Sequence, residues 1–377
     1  MENYKEERIQ VIKTNQAPFK ADHVGSLLRP QRIKEARLQK EKGKISAIEL
    51  RNIEDEEITK LVEKQKKAGL RSITDGDLRR SWWHFDFLEG LKGVEGFKPE
   101  EGIQFKGVQT KAHSVRVLDK VDFDQHPMLD DYKFLHSIVG PDHVAKFTIP
   151  SPNMLFFRGD INPEIYPDEA SLLKDLTQAY QKAIQAFYDE GCRYLQLDDT
   201  SWAVFFSEEG RQKIKERGHE PEQLRRLFIQ AINHSIAGRP DDMVITMHIC
   251  RGNFRSTYTA SGGYDTIAET LFNELNVDGL FLEYDTERSG GLQPLRQLKR
   301  KDLKIVLGFI TSKFPELEDK EKIKASLEEA AKLVPKEQLC LSPQCGFAST
   351  EEGNIITEEE QWAKLRHVVE IAEEVWN

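Results

Sequence analysis

The sequence predicts an α/β protein with a TIM-type (β/α)8 barrel, and three observations support this prediction. About eight short apolar runs, each typical of a buried strand, recur along the 377 residues. Segments with helical periodicity separate these runs, and strands that alternate with helices form a parallel sheet. Eight such units in a chain of this length suit a closed barrel. The lack of a Gly-x-Gly-x-x-Gly turn disfavours the alternative, an open dinucleotide-binding sheet.

Each predicted strand ends in polar side chains. The strands are predicted at residues 21–26, 70–77, 144–149, 191–199, 243–250, 279–283, 304–310 and 338–342. Two charged helices are predicted between residues 30 and 67, with a break near Gly43, and Gly69 ends the second. Later helices are predicted at residues 171–190, 221–236, 264–274, 315–333 and 358–375.

The alternation of strands and helices is interrupted between about residues 78 and 142. This segment begins with the aromatic cluster Trp82-Trp83-His84-Phe85, and its alternating stretches at 103–108 and 113–121 indicate a β-hairpin. A helix is predicted at 130–138. We interpret the segment as an insertion after strand 2, within one domain that spans residues 1–377.

Composition excludes several classes of protein. The net charge of −10 argues against a nucleic-acid-binding protein, which needs a basic face. No apolar run approaches the roughly 18 residues of a membrane span, and the first residues lack the apolar core of a signal peptide. A cytoplasmic enzyme is therefore expected. Two of the four scattered cysteines, Cys192 and Cys340, fall inside strand runs and are interpreted as core residues.

The remaining two cysteines belong to a predicted metal site. His248 and Cys250 end one strand, Glu283 ends another, and Cys345 follows the last. Alternate side chains on a strand share a face, so His248 and Cys250 can bind one ion. An imidazole, two thiolates and a carboxylate favour zinc in tetrahedral geometry. The alternative is that these are four separate core or loop residues.

Several stretches together resemble the catalytic domain of cobalamin-independent methionine synthase. They lie at residues 21–30, 74–80, 195–199, 248–250, 283 and 342–346. The closer likeness is to short single-domain relatives, for which Met-His-Ile-Cys-Arg-Gly-Asn at 247–253 is typical. The resemblance extends from about residue 20 to the end of the chain. It implies a zinc held by His248, Cys250, Glu283 and Cys345, and methyl transfer from a methyl-folate-type donor to the thiol of homocysteine.

The resemblance also implies a substrate site. Asp77 and Asp198 correspond to carboxylates that bind the amino group of homocysteine, although the family usually has Glu where Asp77 stands. Ser26 corresponds to a Gly-Ser turn that receives the substrate carboxylate, and Asp199 is paired with Asp198 at the same strand end. In a purely structural interpretation, Asp77 is a turn residue and Ser26 caps a helix.

Two departures from the family pattern concern the methyl donor. The N-terminal half of the long enzymes has no counterpart here. The family also has an Asp-x-His-Ser motif after the seventh strand, thought to help protonate the departing folate nitrogen. The corresponding loop here reads Phe-Ile-Thr-Ser-Lys at 309–313, so Ser312 or Lys313 would have to act as the catalytic proton donor.

Other functions stay open at this point. One alternative is zinc-dependent alkyl transfer to another thiol or from a non-folate donor, as in coenzyme M transferases. A related barrel family decarboxylates uroporphyrinogen without a metal, but it would not need His248, Cys250 and Cys345. A zinc-storage or redox-sensing protein would leave the paired acids at the other strand ends unexplained. The sequence also leaves open whether the chain forms a homo-oligomer.

Overall fold

A computed structural model describes residues 17–376. Its strands are β1 (Ser72–Ile73), β2 (Lys92–Phe97), β3 (Gln104–Phe105), β4 (Val108–Gln109), β5 (Ser114–Asp122), β6 (Val144–Pro150), β7 (Asp160–Ile161), β8 (Tyr194–Asp199), β9 (Val244–Ile249), β10 (Gly279–Glu283), β11 (Lys304–Ile310) and β12 (Leu339–Pro343). Its α-helices are α1 (Gln31–Glu41), α2 (Ala47–Lys67), α3 (Phe85–Leu88), α4 (Pro127–Val139), α5 (Asn153–Arg158), α6 (Glu169–Asp189), α7 (Glu208–Glu216), α8 (Pro221–Ser235), α9 (Ala268–Asn273), α10 (Lys320–Ala331) and α11 (Glu358–Trp376). Short 3-10 helices lie at Ser201–Phe205, Glu287–Ser289, Gln293–Gln297 and Lys336–Gln338.

Seven strands form a curled, fully parallel sheet in the order β1-β6-β8-β9-β10-β11-β12. Every residue of β8, β9, β10 and β12 is buried, which explains why these strands read as continuous apolar runs in the sequence. The helices between the strands cover the outer face of the sheet. The predicted α/β class with a parallel sheet is therefore confirmed.

The strand predicted at residues 21–26 is reduced to a single bridge, so the sheet has seven strands and the predicted count of eight is wrong. Ala21 forms this bridge with Leu341 of β12. At the other edge of the sheet, the amide of Leu27 donates to the Gly76 carbonyl at 2.9 Å, beyond β1. Between these contacts the carboxylate of Asp22 accepts hydrogen bonds from two backbone N–H groups. Local hydrogen bonds of this kind compete with the hydrogen bonds between neighbouring β-strands.

The segment between β1 and β6 contains antiparallel pairs. Strands β2 and β5 pair with each other, and β3 and β4 form a two-stranded sheet within the region where a hairpin was expected. Strand β7 pairs with β5 in parallel. It was not predicted, because a strand of only two residues carries no periodic signal in the sequence. That this segment is an insertion in a barrel loop stays a prediction.

Helix boundaries follow local capping. Helix α2 begins at a capping box, in which the Ser46 hydroxyl and the Glu49 carboxylate each accept a hydrogen bond from the other's amide. Helix α10 begins later than predicted because Asp319 caps it, accepting from the amide of Glu321 at 2.9 Å. Gly69 follows α2 with φ +89°, a left-handed conformation that suits glycine.

The core lies between the sheet and its helices. For example, Phe147 of β6 packs between Tyr132 of α4 and Phe187 of α6, with ring centroids 5.7 Å and 5.2 Å from its own. Within residues 17–376, no helix is both long enough and apolar enough to cross a lipid bilayer.

Candidate metal and substrate site

The structure brings together His248, Cys250, Glu283 and Cys345 at one end of the parallel sheet. Their ligand atoms all lie within 4.8 Å of one another, and all four residues are buried. His248 lies in β9 and Cys250 directly follows that strand. Glu283 ends β10, and Cys345 lies in the loop after β12. Because carboxyl ends of parallel strands meet at one edge, residues that are far apart in sequence share this site.

The geometry of this cluster suits a zinc ion. The sulfur atoms of Cys250 and Cys345 are 3.7 Å apart. Two thiolates on a tetrahedral zinc, at Zn–S bonds of about 2.3 Å, are separated by about 3.8 Å. A donor set of one nitrogen, one oxygen and two sulfur atoms is also one that zinc accepts.

Glu283 is held in its ionised form from two sides. Its Oε1 accepts the backbone N–H of Arg251 at 2.8 Å, and its Oε2 accepts the guanidinium of Arg288 at 3.0 Å. Burial alone would raise the pKa of Glu283, but the positive charges of Lys313, Arg288 and Arg251 outweigh it and lower the pKa to about 2. This carboxylate is therefore available as a ligand at neutral pH.

The two thiols have different acidities because they share one hydrogen bond. The hydrogen bond from Cys250 lowers the pKa of Cys345 to about 7, and the charges of His248 and Lys313 act in the same direction against burial. The same hydrogen bond, together with burial, raises the pKa of Cys250 well above its usual value. Cys345 is thus the thiol that ionises first, and a thiolate is the form that binds metals.

A cavity opens onto this cluster. His248, Cys250 and Cys345 line it, together with Ser26, Asp77 and Asp198 among the residues expected to bind substrate. A site lined by convergent polar groups of this kind is the default binding-site candidate in an α/β protein.

Asp77 and Asp198 are buried carboxylates on the cavity wall. Asp77 has φ +57° and accepts a hydrogen bond from Thr148 at 3.2 Å. Burial, opposed by the nearby Arg80, raises the pKa of Asp77 to about 6. Asp198 accepts from the Gln196 amide at 2.7 Å and lies 3.6 Å from Nδ1 of His248, so it contacts both the cavity and a metal-ligand candidate.

Four of the residues predicted from the sequence do not line the cavity: Glu283 of the metal cluster, Asp199, Ser312 and Lys313. Asp199 accepts hydrogen bonds from Ser151, Asn153 and Ser201 at 2.5–3.1 Å, and its carboxylate is fully buried. The Ser312 hydroxyl donates to the side chain of Gln344 and to the carbonyl of Gly346, the residues that flank Cys345. Both residues therefore hold loops of the site in place.

Lys313 also lies behind the cavity wall. Its ammonium is buried without a hydrogen-bond partner among residues 17–376, and it is 3.9 Å from a carboxylate oxygen of Asp285. It acts on the cluster through its charge, which lowers the pKa of both Glu283 and Cys345.

Sequence reasoning missed much of the cavity wall. Trp82, Trp83, His84 and Phe105 from the segment between β1 and β6 line the cavity, and so does Arg158 at the end of α5. The aromatic cluster was visible in the sequence. Its position became evident only from the structure, where the amide of Trp83 donates to the carbonyl of Ser349 in the loop after β12.

Comparisons with known proteins show the family to which this chain belongs. Residues 19–374 match the family described as the catalytic domain of cobalamin-independent synthase. The uncharacterized protein YxjG of Bacillus subtilis (strain 168) is 62% identical over 366 residues, 97% of each chain. A methionine synthase of Sulfurisphaera tokodaii is 24% identical over 324 residues, 86% of this chain and 84% of that protein.

Two solved structures have a similar fold. One, of a putative vitamin-B12-independent methionine synthase from Listeria monocytogenes, is 51% identical with a TM-score of 0.80, and the match covers 97% of this chain and 100% of that one. The other, of a B12-independent methionine synthase from Shewanella sp. W3-18-1 in complex with selenomethionine, is 19% identical with a TM-score of 0.71 and covers 94% and 97%. Since the family match covers nearly the whole length, the chain belongs to the cobalamin-independent methionine synthase catalytic-domain family.

Proposed function

We propose that this chain is a zinc-dependent methyltransferase that moves a methyl group from a methyl-folate-type donor to the thiol of homocysteine, giving methionine. One observation carries the proposal. His248, Cys250 and Cys345 line the same cavity as Asp77 and Asp198, so a thiol bound at the cluster would have carboxylates beside its amino group. We also propose a cytoplasmic location, where the four free buried cysteines would stay reduced.

Each part of the cavity has a role in this proposal. His248, Cys250, Glu283 and Cys345 would hold the zinc, whose positive charge would favour the thiolate form of the substrate. Asp77 and Asp198 would hold the ammonium group of homocysteine, and Ser26 its carboxylate. Holding the sulfur in line with the methyl carbon of the donor converts a bimolecular encounter into an oriented reaction.

The transfer itself breaks one bond and forms one. The sulfur of homocysteine supplies the electron pair for the new S–C bond, and the donor nitrogen keeps the pair of the broken N–C bond and takes up a proton. The sequence offers Ser312 and Lys313 as proton donors. The Lys313 ammonium has no hydrogen-bond acceptor in the described part of the chain, but it lies behind the cavity wall and not against the bound substrates. Ser312 already donates to Gln344 and Gly346.

The comparisons support the acceptor at the level of the family. Relatives that cover most of this chain are named methionine synthases, and the structure of the Shewanella enzyme is a complex with selenomethionine, an analogue of the proposed product. The two Bacillus subtilis relatives at 61–62% identity are uncharacterized, so activity has to be measured on this protein itself.

A second candidate function is alkyl transfer to another thiol or from a non-folate donor. The observation that favours it is the loop at residues 309–313, which lacks the family's histidine. Methionine formation with methyl-folate, measured against simpler methyl donors, separates the two functions. With Lys313 in place of histidine, we expect methyl-folate turnover to be slow.

Replacing Asp198 tests the proposed acceptor. In Asp198→Asn one charge-assisted contact to the substrate ammonium is lost, which costs roughly 1.5–3 kcal/mol, or about 10- to 150-fold in affinity for homocysteine. The thiol 3-mercaptopropionate has no amino group, so its affinity should stay unchanged. Calorimetry of both thiols, with zinc content measured on the same samples, gives the comparison.

The exposed Asp241 provides a matched control, because Asp241→Asn removes the same charge at a residue that does not line this cavity. Equal weakening of both thiols in Asp198→Asn would contradict the assignment. It would show instead that Asp198 supports His248, its neighbour at 3.6 Å.

A further inference from the structure

Arg288 contacts Glu283 and a second buried carboxylate at the same time. It belongs to the 3-10 helix Glu287–Ser289, which follows β10. Its Nη2 donates to Oε2 of Glu283 at 3.0 Å and to Oδ1 of Asp285 at 3.2 Å. Neither Arg288 nor Asp285 lines the cavity, so neither is placed to meet a substrate there.

The loop after β9 holds the other side of the Arg288 guanidinium. Nη1 of Arg288 donates to the carbonyl of Ala260 at 3.3 Å, and the guanidinium lies 4.5 Å from the ring centroid of Tyr258. The side chain is only 9% exposed. A planar guanidinium that is bound on several sides has little freedom to turn.

Asp285 fixes Arg288 from the loop after β11. The Asp285 side chain is 1% exposed, and its Oδ2 accepts a hydrogen bond from the Thr311 hydroxyl at 3.0 Å. The same oxygen lies 3.9 Å from the ammonium of Lys313. Asp285 is therefore the counter-ion of two buried cations, and it keeps Arg288 beside Glu283.

The Glu283 carboxylate has a hydrogen-bond donor on each of its oxygens. Oε1 accepts the N–H of Arg251, and Oε2 accepts from Arg288. An ionised carboxylate offers about four lone-pair sites, so it can keep both hydrogen bonds and still bind a metal ion. A side chain that is already ordered loses less conformational freedom when it binds, and this favours affinity.

We infer that Arg288, held by Asp285, is a positioning residue that fixes the plane of the Glu283 carboxylate for metal binding. Its effect is on how tightly, and with which geometry, the chain binds a metal ion. The inference rests on the metal site of the proposed function and deepens it. In the alternative, Arg288 only neutralises two buried acids and stabilises the fold.

Metal affinity in a double-mutant cycle separates the two roles. Arg288→Gln should weaken zinc binding about 10- to 100-fold, as the loss of a partner of a metal ligand does. In the Glu283→Gln background the same substitution should change the affinity less than about 2-fold, because Arg288 acts through that carboxylate. Competition with a chromophoric chelator measures all four proteins. An equal loss in both backgrounds would overturn the inference.

Cobalt(II) gives a readout that a purely structural role would not change. The visible d–d bands of bound cobalt depend on the geometry of its ligands, whereas bands in the near ultraviolet report thiolate ligands. In Arg288→Gln the d–d bands should change and the thiolate bands should stay. Identical cobalt spectra of the wild type and Arg288→Gln would contradict the inference.

Two conservative variants cover the case in which Arg288→Gln does not fold. Arg288→Lys keeps the charge and loses the planar fork, so its zinc affinity should lie between those of the wild type and Arg288→Gln. Asp285→Asn keeps the arginine and removes its counter-ion, and it should weaken zinc by a smaller factor. Wild-type affinity in both variants would overturn the inference.

Arg226→Gln is the matched control, because it removes the same charge from a side chain of α8 that is 72% exposed. Its zinc affinity and cobalt spectrum should equal those of the wild type. A wild-type protein that binds neither metal contradicts the proposed function itself. If the wild type binds both metals and Arg288→Gln binds them equally well, only the role of Arg288 is wrong.

Discussion

At the scale of single residues, Arg251 supports the candidate metal site without being one of its four candidate ligands. Its side chain is fully buried, and its guanidinium donates to the hydroxyl of Tyr264 at 2.7 Å and to the carbonyls of Gly262 and Ser289 at 2.8 Å and 3.2 Å. These bonds fix the backbone whose N–H holds Oε1 of Glu283. Outer contacts of this kind orient the ligands of a metal site and tune its affinity.

Zinc content tests the cluster directly. The purified protein should contain about one zinc ion per chain, and Cys345→Ser should lower this content severely because a soft thiolate ligand is lost. Cys340→Ala is the matched control, since Cys340 is equally buried but packs against Val24, Phe281 and Val306. Elemental analysis after purification without chelators gives the answer. A wild-type protein that arrives metal-free and binds no added zinc would contradict the proposed site.

The site residues that could be predicted from the sequence are those whose spacing along a strand determines the face to which their side chains point. His248 and Cys250 are two positions apart at a strand end, so they had to share a face. The same rule separates Asp198 from Asp199, whose adjacent side chains leave β8 on opposite faces. Only Asp198 reaches the cavity. Arg158 and Arg251 could not be predicted, because their roles depend on contacts between distant loops.

At the scale of elements, α4 depends on an unusual capping residue. His126 precedes this helix, and its Nδ1 accepts the backbone N–H of Met128 at 3.2 Å while its Nε2–H donates to the carbonyl of Phe87 at 2.9 Å. Both bonds can form together only in the neutral imidazole. The helix was expected from its apolar periodicity, but the cap, which sets its start at Pro127, was not.

Acid should therefore weaken this element. Burial lowers the pKa of His126 to about 4, so the unfolded chain takes up a proton from about pH 6.5 downward while the folded chain does not. Stability is full above that pH and falls as the pH drops towards 4, by about 2 kcal/mol from this residue at about pH 5. Urea unfolding at about pH 7 and about pH 5 measures the loss, which should be smaller in His126→Asn.

Asparagine also caps helices, and it does not titrate. The exposed His219 supplies the control, because His219→Asn should show the same loss of stability as the wild type between the two pH values. An unchanged pH dependence in His126→Asn would mean that His126 is protonated in the folded protein.

At the scale of the whole molecule, a buried ion pair connects the N-terminal segment to the interior of the sheet. The ammonium of Lys146, which is 0% exposed, donates to the carboxylate of Asp22 at 3.2 Å and to the carbonyl of His23 at 2.5 Å. Asp22 also accepts from Tyr194 at 2.8 Å and from Ser72 at 2.7 Å. The segment that makes a single bridge with β12 is thus fixed to β1, β6 and β8 by side chains.

Removing one partner should destabilise the whole fold. Asp22→Asn leaves the Lys146 charge buried without its counter-ion, which costs about 3–5 kcal/mol in the free energy of unfolding. Asp124→Asn, at an exposed position, should change stability by less than about 0.5 kcal/mol. Chemical denaturation of both variants measures the difference. Near-wild-type stability of Asp22→Asn would show that Lys146 is neutral in the folded protein.

The metal cluster draws its ligands from β9, β10 and the loop after β12, and this order has a consequence for biosynthesis. Ninety-five positions separate Cys250 from Cys345 along the chain. A ribosome adds about 5–20 residues per second, so Cys250 waits roughly 5–20 s before its partner thiol exists. During that interval the nascent chain lacks Cys345, so the candidate set of four metal ligands is incomplete. Stable loading of a metal at this candidate site would therefore have to follow the synthesis of Cys345.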